Sequence, residues 1–156
     1  MELLPKHNVA VMVAHAAYTG VSLQEKAQNG TLLPSSLSHS IISGLLREKI
    51  GFDGMVFTDD LEMGAILRDF GIGDACSRAF LAGVDALCIC ADPANIREGY
   101  KAVEKAIASG EISEGRLNES LSRIAKVKAG LAEPLPFNEA RIKELSDEIA
   151  AFNASV

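Results

Sequence analysis

The chain has 156 residues, 48% hydrophobic and 23% charged, with a formal net charge of −6. That is the size of one domain, with room for a core that buries roughly 70% of the unfolded surface, and the composition excludes a disordered chain. The negative balance disfavours nucleic acid and an anionic membrane surface as partners, and the absence of tryptophan argues against a broad ring-stacking platform.

The N-terminal MELLPKHN lacks the charged-then-apolar pattern of a secretory signal, and no apolar run is long enough to span a bilayer. A cytoplasmic protein is the resulting expectation. Val9-Ala-Val-Met-Val-Ala14 reads as a strand buried on both faces. Glu2 to Lys6 before it reads as a helix end or a frayed terminus. Ala16 to Ser36 has no periodicity and holds Gly20, Asn29, Gly30 and Pro34, as functional loops often do.

Ser38 has the chemistry of an N-cap, followed by Ile41, Ile42, Leu45, Leu46 and Ile50 at helical spacing and by Gly51 as a stop. Gly54-Met-Val-Phe-Thr58 is a second buried strand, ending in Asp59 and Asp60, and Leu61–Leu67 reads as a short helix. Asp74 caps a helix stopped by Gly83. Ala86-Leu-Cys-Ile-Cys90 is a third strand, on which Cys88 and Cys90 read as small buried hydrophobes on one face. The three cysteines, with Cys76, suit neither a disulfide framework nor a zinc site. Pro93 opens a helix running to Ser109. Ser113 precedes an amphipathic helix from Arg116 to Lys128, and Pro134 and Pro136 form a spacer before a polar helix from Asn138 to about Phe152.

Strands alternating with helices imply right-handed crossovers and a parallel sheet. Three such strands leave two open edges of unpaired backbone groups. Either the chain holds strands this reading misses, or the sheet is completed by another copy of the chain or by another polypeptide.

Ligands of parallel α/β proteins bind at the carboxyl ends of the strands. Here those ends carry His15 and the run Thr58-Asp59-Asp60-Leu61-Glu62-Met63. Alternation separates the aspartates. Asp60 is placed to cap the following helix through the N–H of Glu62 or Met63. Asp59 then faces the other way, kept ionised by the positive end of that helix, as a covalent nucleophile requires. Glu62 reads as a first-turn residue favouring the helix N-terminus. Both aspartates as simple caps, and His15 as a hydrogen-bonded histidine at a strand end, are the alternatives on spacing alone. His7 and His39 read as surface residues.

Gly51-Phe-Asp-Gly-Met-Val-Phe-Thr-Asp-Asp-Leu-Glu-Met-Gly-Ala-Ile66 resembles the nucleophile signature of glycoside hydrolase family 3. Val11-Met-Val-Ala-His15, Leu33-Pro-Ser-Ser-Leu-Ser38, Leu45-Leu-Arg-Glu-Lys-Ile-Gly-Phe52 and Ala82-Gly-Val-Asp-Ala-Leu87 resemble its flanking segments in the same order. Thr58-Asp59-Asp60-Leu61 is similar to the β-N-acetylhexosaminidase branch, which removes terminal N-acetylglucosamine, notably from peptidoglycan fragments. The resemblance implies a (β/α)₈ TIM-type barrel of which this chain carries about three parallel strands, the last ones, with their helices. Residues 1–133 would be that C-terminal part of the barrel, and residues 134–156 a linker and polar helix. It implies Asp59 as the catalytic nucleophile, and His15 and Met63 as substrate-binding residues. No metal and no cofactor are expected.

The same branch carries a general acid/base histidine paired with an aspartate on a mobile loop, in an Asp-Ser-His-like motif, together with an earlier Lys-His pair and sugar-binding arginines. None has a counterpart here, and His15, which follows a strand, does not take the acid/base role. The partners expected are an N-acetylglucosamine glycoside and either further copies of the chain or an N-terminal half. The isolated chain is expected to be weak or inactive. A non-catalytic, self-associating barrel fragment is the alternative, with an interior strand set such as Val11, Val13, Met55 and Cys88 as its interface. A magnesium-binding receiver module does not fit, because its acidic pair would have to follow the first strand.

Overall fold

The computed structural model describes residues 9–27, 29–134 and 136–155. The readings for Glu2 to Lys6 and for His7 lie outside them. β1 (Val11–Val13), β2 (Val56–Asp60) and β3 (Ala86–Cys88) form one parallel sheet in the order β1-β2-β3. Val11, Met12 and Val13 lie opposite Val56, Phe57 and Thr58. Strand β2 begins later than the apolar run suggested and carries Asp59 and Asp60 within it. Strand β3 stops at Cys88, so Cys90 is exposed and Cys88 only half-buried. The buried cysteine is Cys76, whose thiol is pushed up to about 11 by burial and, secondarily, by the Glu98 charge.

The helix expected after Ser38 is a wide π-type helix, Ser40–Lys49. Its far end shows the i to i−5 spacing in the bond from Ile50 N to Leu45 O, at 2.9 Å. Ser38 Oγ accepts from Ile41 N at 3.3 Å, and the Glu25 carboxylate, reaching in from the long loop, accepts from Ser40 N at 2.9 Å. His39 is exposed. The remaining helices are α1 (Gly64–Leu67), α2 (Ile72–Ala82), α3 (Pro93–Ala108), α4 (Glu114–Ala129) and α5 (Glu139–Ser155). Helix α2 starts before Asp74, which instead pairs with Arg78 at 2.7 Å. It ends at Gly83, whose φ of 117° suits glycine. Asp92 and Ser113 cap α3 and α4 by accepting from Ala94 N and Arg116 N.

One sheet face is covered. Val13, Val56, Leu61 and Val84 pack with Leu37, Ile42, Ile66, Ala75, Cys76 and Ala79 in a single core. Helix α3 comes close because residue 99 is glycine: a Cβ there would stand 2.7 Å from Cys76 Sγ and 2.8 Å from Ile89 Cδ1. The other face is open. Alternation puts Met12 and Phe57 there, and Met12 is 55% exposed. The set suggested as a self-association interface is therefore corrected: Val13 lies in the helix-side core with Val11 packed against it.

At the amino-terminal end of the strands sits Asp85, with its side chain fully buried. Its Oδ2 accepts from Arg47 Nη2 at 2.6 Å and from Val56 N at 2.9 Å. Its Oδ1 accepts from Ser120 Oγ at 2.8 Å and Arg123 Nη1 at 3.2 Å, and Arg116 Nη1 stands 3.6 Å away. The arginines continue the network. Arg47 donates to the carbonyls of Phe52, Gly54 and Gly83, and Arg116 to those of Phe80 and Val84.

Removing Asp85 strips three partly buried arginines of their shared buried anion and leaves only the exposed Glu119 and Asp53 beside Arg116 and Arg123. Asp85→Ala is expected to cost about 3–5 kcal/mol, measured as a fall in the urea midpoint; an unchanged midpoint would contradict the network's role. A smaller change tests the strand pairing. Between Phe57 and Asp60 the β2–β3 register slips, and Thr58 Oγ1 takes the place of a ladder carbonyl by accepting from Cys88 N at 3.0 Å. Thr58→Val should lower stability by about 1–3 kcal/mol and speed amide exchange at Cys88, while Thr58→Ser should keep the amide protected.

Candidate functional site at the carboxyl ends of the strands

The bulge shapes this end of the sheet. Three residues of β3 stand against four of β2, from Phe57 opposite Ala86 to Asp60 opposite Cys88. Such bulges bend a strand and re-aim its side chains, often beside active sites. Thr58 is fully buried, and the next residue, Asp59, lies half-buried within the bulged stretch at the carboxyl end of β2.

Asp59 is half-buried, and its Oδ1 accepts from Asp60 N at 2.8 Å. Its other oxygen has no partner among the described residues. Asp60 Oδ1 accepts from Glu62 N at 3.0 Å, as the spacing suggested. It does so as the fastener of a turn, because α1 begins only at Gly64 and is four residues long.

His15 lies beside the same turn. Its Nε2 is 2.8 Å from the carbonyl oxygen of Asp60, and its Nδ1 is 2.7 Å from Ser36 Oγ. A carbonyl only accepts, so Nε2 carries the proton, and in the neutral ring Ser36 donates to Nδ1. Both ring nitrogens are thus engaged within the protein, and His15 ties the ends of β1 and β2 together. Ser36 is itself fully buried. Its neighbour Ser35 fastens the long loop by donating its N–H and Oγ–H to the carbonyl of Ala16. Met63 is 44% exposed on the turn before α1, its N–H bound to the carbonyl of Asp60.

The sequence reading of Glu62 is corrected. It serves the next loop, not its own helix. Its Oε2 accepts from Cys90 N and Ala91 N, and its Oε1 from Asp92 N and Asn95 Nδ2, at 2.5–2.9 Å. Donation from the Asn95 amide, followed by the backbone N–H groups, holds the Glu62 carboxyl below its ordinary range. No spacing rule links residue 62 to residues 90–95, so only the parallel placement of β2 beside β3 makes the contact visible. Among the described residues, no three His, Cys, Asp or Glu side chains converge as a metal site. None of the helices is long and apolar enough to cross a membrane.

The arrangement places one half-buried carboxylate, a backbone-held turn and a neighbouring loop together at the carboxyl ends of the strands. Comparison with known proteins identifies the family. Residues 2–127 match the model of the glycosyl hydrolase family 3 N-terminal domain. The β-hexosaminidase A of Pseudoalteromonas piscicida is 29% identical over 132 residues, covering 79% of this chain and 22% of that protein. A β-hexosaminidase of Bordetella parapertussis is 39% identical over 88 residues, 54% of this chain and 21% of that one. The solved family 3 β-N-acetylglucosaminidase from Paenibacillus sp. FPU-7 superposes with a TM-score of 0.75 at 30% identity, over 88% of this chain and 26% of that chain. This chain therefore spans about a fifth of the curated relatives it matches. With its parallel sheet, its helix layer and this match along most of its length, the chain belongs to glycoside hydrolase family 3 and is built as part of a (β/α)₈ barrel.

Proposed function

We propose that this chain supplies the nucleophile-bearing last strands of a retaining β-N-acetylhexosaminidase that removes terminal N-acetylglucosamine from glycosides such as peptidoglycan fragments. The observation that carries the reading is Asp59: a half-buried carboxylate at the carboxyl end of β2, within the bulged stretch, with one oxygen held by the backbone and the other unpartnered among the described residues.

In this mechanism the free oxygen of Asp59 attacks the anomeric carbon as the bond to the leaving oxygen breaks. A general acid protonates that oxygen, then acts as base on the water that releases the sugar. The acid must stand roughly 5–5.5 Å from the nucleophile. Glu62 does not qualify, because its two oxygens are committed to four donors. His15 does not qualify either, since both ring nitrogens are occupied. The acid/base and the sugar clamps come from the part of the barrel these three strands do not form. His15 then contributes to the pocket by fixing the end of β2, and Met63 by offering an exposed thioether wall.

A second reading has its own support. Met12 is 55% exposed on the open face beside Phe57, and neither sheet edge pairs with a further strand among the described residues, so copies of the chain could bury that face without catalysis.

Losing general acid catalysis alone costs about 10²–10⁴-fold. The purified chain is therefore expected to hydrolyse a chromogenic N-acetylglucosaminide that much more slowly than a complete relative, with the residual rate abolished in Asp59→Ala. A fluorinated N-acetylglucosaminyl fluoride should leave its sugar on the peptide containing Asp59, read by mass spectrometry. Turnover indifferent to Asp59→Ala, or a label on another residue, overturns the reading.

A further inference from the structure

We propose that Glu62 is a positioning residue that fastens the β3–α3 loop, Cys90 to Asp92, as a fixed wall beside Asp59. This rests on the reading of Asp59 as nucleophile.

The geometry is a relay of three carboxylates, each holding the next stretch of backbone. Asp59 Oδ1 accepts from Asp60 N, Asp60 Oδ1 accepts from Glu62 N, and Glu62 accepts from three consecutive N–H groups of the neighbouring loop. Consecutive backbone N–H groups converging on one point form an anion-binding concavity, and here the protein's own carboxylate occupies it. Capping of α3 alone would not need Glu62, because Asp92 already accepts from Ala94 N at 2.7 Å within its own helix. What Glu62 adds is a bond between elements: it lies three residues beyond Asp59 and grips a loop that follows a different strand. The gripped residues are exposed and bury no apolar side chain, so little else in the described structure holds them. A displacement of about 1 Å at a reacting group can cost about 10²-fold in rate, and the relay transmits any slackening of the loop directly to the Asp59 turn.

The groups facing Glu62 are Asp60 from β2, and Cys90, Asp92 and the neutral Asn95 from the loop and α3. No cation is among them, so hydrogen bonding alone keeps Glu62 charged. Because its folded value is lowered, its contribution is complete above the ordinary carboxylate range and is lost as pH falls through that lowered value.

Hydrogen–deuterium exchange on the full chain tests this. In Glu62→Ala, the amides of Cys90, Ala91 and Asp92 should exchange about tenfold faster or more, and the Asp59 carboxyl carbon resonance should move. The amide of Val56 should stay protected as a sign of an intact core. Glu62→Gln keeps acceptor oxygen on one side only and should fall between. In the wild type, acidification through the Glu62 titration should release the same three amides, and in Glu62→Gln that pH step should vanish. Unchanged exchange at all three amides, or an unmoved Asp59 resonance, overturns the proposal. Hydrolysis that persists in Asp59→Ala would instead sink the nucleophile reading while leaving the loop measurement to stand.

Discussion

The fold hangs on one buried carboxylate. Asp85 opens β3, accepts the first ladder amide of β2 and faces three arginines from the π-type helix and α4. Burial pulls the Arg47 and Arg116 guanidinium groups below their ordinary value, and the Asp85 charge pushes them back up. Such an assembly gains little over a well-packed apolar substitute, but losing one member strands the others in a dry place. Its consequence is specificity. Arg47 reads the carbonyls of Phe52, Gly54 and Gly83 with a single fork, and so fixes where the chain enters β2 and β3.

That rigidity sits at the end of the sheet away from the chemistry. In barrels of this family's kind, the amino-terminal face carries stability and the carboxyl-terminal face carries function. The two ends of this sheet are held in opposite ways. Below, three arginines converge on one buried anion, with the exposed Asp53 and Glu119 at the rim. Above, carboxylates are satisfied by backbone N–H groups in partial contact with water. The upper arrangement is weaker, and it leaves Asp59 with a carboxylate oxygen to spare.

Reading the sequence recovered what depends on local pattern. Continuous apolar runs gave the strands, Gly83, Pro93 and Ser113 marked helix ends, and the Asp59-Asp60 pair falls at the carboxyl end of β2. Contacts that depend on strand adjacency stayed hidden. Arg47, Arg116 and Arg123 are scattered on amphipathic helices where a solvated face is the ordinary role, and nothing in their spacing points to residue 85. Thr58 reads as one more β-branched strand residue until the register slip gives its hydroxyl a backbone partner. Cys90 reads as buried only while β3 is assumed to continue past Cys88. Glu62, like the arginines, acts across a crossover, and its neighbours in sequence explain nothing about it.

The acidity of the upper end has its own logic. Asp59, Asp60 and Glu62 lie within four positions, and among the described residues none of them is in an ion pair. Neutral backbone donors fix each carboxylate without cancelling its charge, whereas a lysine or arginine would have fixed it and neutralised it together. Glycoside hydrolysis passes through an oxocarbenium-like state in which positive charge grows on the sugar ring. On the proposed reading of Asp59, a turn immobilised by neutral donors would stabilise that state with little reorganisation at the moment of reaction. The arginines gathered at the opposite end are where the chain puts positive charge to structural use.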